Sequence, residues 1–119
     1  MKKYYIMSIA LAILYIGCSI GKPNVVLQGD IERGYTEFGS ILFQGQVINI
    51  GDKVASGVKV DLLIYVNESK SELLETRRAI LVKDNMKPGE VVRFKAVASI
   101  VRTQEMAGWI EADISWDGN

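Results

Sequence analysis

The residues of this chain best spaced for general acid and base work are Glu111 and Asp113, carboxylates that share one face of any strand that carries them. Period-two spacing sets such a pair side by side without making a pocket, so a solvated outer face accounts for them better. Asp113, Asp117 and Asn119 offer oxygens of the kind calcium takes. They lack the regular spacing and closing Glu of a calcium loop, and the run is read as chance. Met86 and Met106 fall in different loops and are assigned to packing, not to copper. The chain has no histidine, which removes the commonest general base and the commonest metal ligand. It has no G-x-S-x-G nucleophile elbow either. No catalytic residue, metal or cofactor is therefore expected, and the chain reads as non-enzymatic.

Composition narrows the class. With 119 residues, 49% hydrophobic and 24% charged, the chain is expected to be one globular domain with one core. Its 14 basic and 14 acidic residues cancel, and no basic stripe interleaves with aromatics, so nucleic acid is not an expected partner.

The N-terminus is more specific. Lys2 and Lys3 precede an apolar run from Tyr4 to Ile16, interrupted only by Ser8, and Gly17-Cys18 comes next. A charged start, an apolar stretch and a small residue before a cleavage point define a secretory signal peptide, expected to be helical over 1–17. A membrane span needs about 20 apolar residues. This run is shorter and gives way to Ser19, Gly21, Lys22, Pro23 and Asn24, a linker composition. Tyr15-Ile16-Gly17-Cys18 resembles the bacterial lipobox, with Tyr15 where Leu is usual. The resemblance implies cleavage between Gly17 and Cys18, lipidation of Cys18, and a tether over 18–24. Ser19 after the cysteine, in place of Asp, further implies outer-membrane sorting if the cell has two membranes. Acyl chains contribute ~0.8 kcal/mol per buried methylene, so more than one chain on Cys18 would anchor stably. Cys18 is the only cysteine, so a disulfide within the chain is excluded. The sequon Asn67-Glu68-Ser69 has no meaning for a bacterial lipoprotein.

Beyond the tether the chain reads as strands. Val58, Val60, Leu62, Ile64 and Val66 alternate with Lys59, Asp61, Leu63 and Tyr65, the period of two that buries one face. Before them Ile41, Phe43 and Val47 share one parity while Gln44, Gln46 and Ile48 take the other. Asn49, Gly51, Asp52, Ser56 and Gly57 crowd between the two runs as a hairpin or an inter-sheet corner. A first strand is expected from Asn24 to Ile31, ending near Arg33-Gly34, and another over the run from Glu72 to Val82, with Leu74, Ile80 and Val82 on one face. Val92, Phe94, Ala96 and Ala98, and later Ile110, Ala112, Ile114 and Trp116, give two more inward faces. Val47, Val60, Leu62, Ile64, Phe94, Ala112 and Ile114 are expected to share a core between two sheets.

Strands of this number and spacing predict an all-β, antiparallel immunoglobulin-like β-sandwich of six to seven strands over 25–119. In that arrangement the strand at 57–66 neighbours the one at 109–116, and the long connection from Ser99 to Gly108 crosses between sheets. The outward parity then gathers Leu63, Tyr65 and Trp109 into a candidate partner-binding face. Over residues 40 to 98 the chain resembles the FxLYD-type domain of prokaryotic envelope proteins. The matching residues are Gly45, Val47, Asn49, Gly51, Val58, Val60, Ile64, Tyr65, Pro88, Gly89 and Phe94. Leu62 stands where the name-giving Phe would be, and Val66 where Asp would be. The resemblance implies fold and envelope location but no activity. The expected function is a membrane-anchored, non-enzymatic binding or scaffolding module for an envelope protein or glycan; the alternative is an accessory subunit of an envelope enzyme or transporter complex. Replacing Cys18 by Ser should move the chain out of the detergent phase and slow the conversion of precursor to mature band. Unchanged partitioning and mobility would exclude lipidation.

Overall fold

The computed structural model describes residues 21–118. Gly17, Cys18, Ser19 and the signal peptide lie outside the described residues. The order of elements is β1 (Val25–Tyr35), β2 (Ile41–Asn49), β3 (Lys59–Tyr65), β4 (Leu73–Arg78), β5 (Ile80–Leu81), β6 (Val91–Val97), a short helix α1 (Val101–Met106) and β7 (Trp109–Ser115). Every strand pairing is antiparallel. One sheet runs β1-β2-β6-β5 and the other β4-β3-β7. The first is the A-B-E-D order of an immunoglobulin-like sandwich, and β3 and β7 take the places of C and F in the second.

The period-two runs land as their parity requires. Phe43 and Val47 of β2, Val60, Leu62 and Ile64 of β3, and Val92, Phe94 and Ala96 of β6 are buried in one core with Met86. Five of the expected core residues, Val47, Val60, Leu62, Ile64 and Phe94, are buried; Ala112 and Ile114 pack against the core while staying half-buried. Phe94 lies opposite Gly45, and any Cβ at that position would overlap its ring. Burying a side chain such as Leu62 contributes roughly 1.5–3 kcal/mol.

Three expectations need correction. The segment from Glu72 to Val82 is not one strand. Ile64 pairs with Glu75 and Tyr65 with Leu73, so Leu74 is an extra residue, a bulge that moves the inward parity from Leu74 to Glu75. The N–H of Ala79, itself buried, donates to the Val60 carbonyl at 2.8 Å, and the chain then leaves β3 and crosses to β6 as β5. Ile80 and Val82, expected on a strand face with Leu74, are exposed. β1 extends to Tyr35, beyond the expected end, with an irregularity in register between Gln28 and Glu32. The crossing from β6 to β7 contains a helix that the residue pattern did not announce.

Asn49 is the third. It is not a turn residue but the last residue of β2, fully buried, and the crossing from β2 to β3 is an inter-sheet corner, not a hairpin. Its Oδ1 accepts from the N–H of Asn24 at 3.1 Å and of Gly51 at 2.9 Å, and its Nδ2 donates to the carbonyls of Lys53 at 2.8 Å and Met86 at 3.0 Å. Its own N–H donates to the Glu90 carbonyl and its carbonyl accepts from Gly89. Only one amide orientation serves two donors and two acceptors, which fixes the assignment of oxygen and nitrogen. Gly51 is required beside it, since a Cβ there would run into the backbone of Lys22 to Asn24.

Leu62→Ala and Asn49→Ala should each lower unfolding free energy in a urea titration. The first loses ~2–5 kcal/mol through its cavity. The second leaves several buried backbone groups unpaired at roughly 1–3 kcal/mol each. A loss under about half a kcal/mol for both would mean the core and corner are misplaced.

Candidate partner-binding face

β3 and β7 lie side by side in register, Tyr65 against Trp109, Leu63 against Glu111 and Asp61 against Asp113. Tyr65 and Trp109 therefore meet at one position on the outward side of the three-stranded sheet, as the strand parity predicts, with Leu63 one pair further along the same face. Tyr65 also stands opposite Leu73 of β4, and Leu63 opposite Thr76. All three candidates are half-buried. The Gly108 N–H donates to the Tyr65 carbonyl at 2.9 Å, which holds the start of β7 against the end of β3.

Charge frames the aromatic pair. The Trp109 indole Nε1 donates to Glu111 Oε2 at 3.1 Å, and Lys70 Nζ reaches the same oxygen at 2.9 Å. The Lys70 ammonium first, and the indole N–H second, hold the Glu111 carboxyl below its ordinary range. Lys70 has a left-handed backbone, φ 58°, in a turn built on Asn67. Asn67 Oδ1 accepts from the Ser69 hydroxyl and from both the N–H and the hydroxyl of Ser71. The sequon is thus a turn that delivers a lysine to the rim of the face. Glu111 and Asp113 do lie on one side, but Glu111 is spoken for by Lys70, and Asp113 is exposed.

The strongest polar cluster is one the residue pattern hid. Glu75 is 7% exposed, its carboxylate turned inward from β4. Oε2 accepts from the Ser99 hydroxyl at 2.6 Å and from the Ser99 N–H at 3.2 Å, and Oε1 from the Ile100 N–H at 3.4 Å. The buried Thr103 hydroxyl faces the same carboxylate, close enough to favour its charge but outside hydrogen-bond geometry. Burial alone would push this carboxyl up; the Ser99, Thr103 and Ile100 groups outweigh it and the net direction is down. The cluster fastens the β6–β7 connection to β4. Parity could not reveal it, because the Leu74 bulge inverts the faces just before it.

Elsewhere a saddle of about 1000 Å³ lies on the outer side of the four-stranded sheet. Asp30, Glu32 and Glu90 line it as well as Lys83, Arg93 and Lys95, so it presents no single sign of charge. Among the described residues no three metal-ligating side chains stand together. No family model, curated protein or solved structure matches the chain.

A carboxylate whose folded pKa is depressed stabilises above its unfolded value and loses that contribution as pH falls through the folded one. Glu75→Gln should therefore cost roughly 1.5–3 kcal/mol at neutral pH, the range for hydrogen bonds to a charged group. It should also flatten the fall in stability of the parent chain between about pH 5 and pH 2. Parallel pH profiles for the two chains would show that folding does not lower the Glu75 pKa.

Proposed function

We propose that the chain is a lipid-anchored envelope lipoprotein whose β-sandwich is a non-enzymatic module for binding an envelope protein or glycan. The observation that carries this is the pairing of Tyr65 with Trp109 at one register position on an outward sheet face. Tyr and Trp supply rigid contact area at little cost in conformational entropy, and both are enriched where partners dock.

The place of that pair relative to the tether supports the reading. Lys22 donates its N–H to Asp52 Oδ1 at 2.8 Å, and its carbonyl accepts from the Asp52 N–H at 3.2 Å. Residues 22–24 are thereby held at the corner between β2 and β3. Tyr65 is at the other end of β3, roughly 20 Å along the strand at the usual rise per residue. A lipid on Cys18 would leave the aromatic pair on the side away from the membrane. Ser19 fits delivery to the outer membrane in a cell with two membranes. The FxLYD-type resemblance fits the same location, and its residues Gly45, Asn49, Gly51 and Phe94 sit in the core and corner, where they serve the fold.

The double change Tyr65→Ser with Trp109→Ser should abolish recovery of the partner from detergent-solubilised envelope while shifting the thermal midpoint by only a few degrees, about 1 kcal/mol for a domain of this size. Undiminished recovery together with a large loss of stability would mean that the aromatics only pack.

A further inference from the structure

β7 is one edge of the three-stranded sheet, and its outer side is unpaired among the described residues. The hydrogen bonds of β3 settle which residues face that edge. Val60 accepts from Ala79, and Val66 donates to Glu72, so the even-numbered residues of β3 bond toward β4. The odd-numbered ones bond toward β7, as Tyr65 does with Gly108. Through the register, Trp109, Glu111 and Asp113 exchange bonds with β3, whereas Ile110, Ala112 and Ile114 turn their N–H and C=O groups outward. Among the described residues no strand pairs with them.

The same three residues point their side chains inward, yet none is fully buried. Leu27 and Ile31 of β1, on the edge of the other sheet, are likewise half-buried against the core. In the immunoglobulin arrangement this flank belongs to strand G, beside F. No described strand fills it. Five apolar side chains and a row of backbone donors and acceptors therefore share one open seam.

Charge selects the occupant. Pairing β7 with itself, centred on Ala112 in antiparallel sense, would set Glu111 against Asp113 of the second copy, and like charges directly opposite are destabilising. The apolar run from Tyr4 to Ile16 would lay apolar side chains beside both carboxylates. Asp113 is exposed and has no ion pair among the described residues, and its cross-strand neighbour Asp61 is engaged by Arg78. We infer that the β7 edge takes an extended segment of a partner polypeptide, antiparallel to β7, with apolar side chains entering the seam and basic ones alternating outward, one of them over Asp113, while Glu111 keeps its pair with Lys70. This deepens the reading of the domain as a binding module and depends on neither the anchor nor the aromatic face.

The test uses the full chain in detergent and the synthetic peptide Ac-Lys-Val-Lys-Val-Lys-Val-Lys-amide. In such a strand the valine N–H groups face β7 and the lysine N–H groups face away. Trp109 and Trp116, the only tryptophans, report binding by fluorescence from within β7 and just after it. Amide exchange at Ile110, Ala112 and Ile114 should slow by about tenfold or more at saturation, as for newly formed backbone bonds. Methylating the valine nitrogens should weaken binding about tenfold or more, and methylating the lysine nitrogens far less. Asp113→Lys should shift preference to the Glu-Val counterpart of the peptide. Equal binding of the two methylated peptides would overturn the proposal, as would no slowing at saturating peptide. So would protection of the three amides without peptide, whether independent of protein concentration, from the chain's own segment, or rising with it, from self-pairing. Tyr65→Ser with Trp109→Ser leaves these amides and Trp116 in place, so failure of the aromatic face and failure of the edge are separable.

Discussion

The buried amide of Asn49 is the constraint on which the arrangement of the two sheets rests, because it ties its own corner to two backbone segments that are distant in sequence. It joins the entry to β1 at Asn24, the corner at Gly51 and Lys53, and the approach to β6 at Met86, while its own backbone meets Gly89 and Glu90. A polar side chain at zero exposure costs several kcal/mol when unpaired, and here each of its groups has a partner, so burial is converted into specificity. Leucine at the same place could bury as much surface but could not hold the corner in one geometry. The direction in which β3 leaves that corner decides which of its faces meets Phe43, Val47 and Phe94, and hence which face carries Tyr65.

Glu75 acts in the same way at the opposite end. Its carboxylate collects the N–H groups of Ser99 and Ile100, where the chain has just left β6 and is about to form α1. Without it the crossing to β7 would have little to hold it down, since the helix is short and exposes Val101 and Met106. Exposed ion pairs such as Lys83 with Glu90 and Arg102 with Glu72 add little beside these two buried centres, because water and salt screen them. Two satisfied polar groups, one at each end, thus fasten a core whose other buried side chains, Thr103 apart, are apolar.

Both proposed interaction features involve β7, a consequence of its position at the sheet edge. Its β3-facing bonds fix Trp109 against Tyr65, and the next residue in each case turns its backbone to the open side. A strand in the middle of a sheet would offer only a face; a strand at an edge offers a face and a hydrogen-bonding rim. The half-buried state of Ile110, Ala112 and Ile114 has the same origin, because nothing described lies beyond them to complete the layer.

The strands and their faces were legible in the amino-acid order wherever alternation ran unbroken: Val60, Leu62 and Ile64 inward with Leu63 and Tyr65 outward, and Val92, Phe94 and Ala96 inward, as found. The neighbour relation of β3 and β7 followed from the sandwich class that those strands imply, and with it the meeting of Tyr65 and Trp109. Side-chain parity is a local property of an extended backbone, so it needs no knowledge of partners. Only the tertiary structure decided the rest. One bulged residue, Leu74, reverses parity, and the reversal is invisible until the register with β3 is known. Asn49 looks like a turn residue because its type favours turns, and its burial depends on carbonyls at Lys53 and Met86 that only folding brings to it. Glu75 reads as a surface charge until Ser99 arrives from the β6–β7 connection, and the open rim of β7 is defined by the lack of a partner strand among the described residues. Each of these depends on contacts between residues far apart in the chain, which local periodicity does not encode.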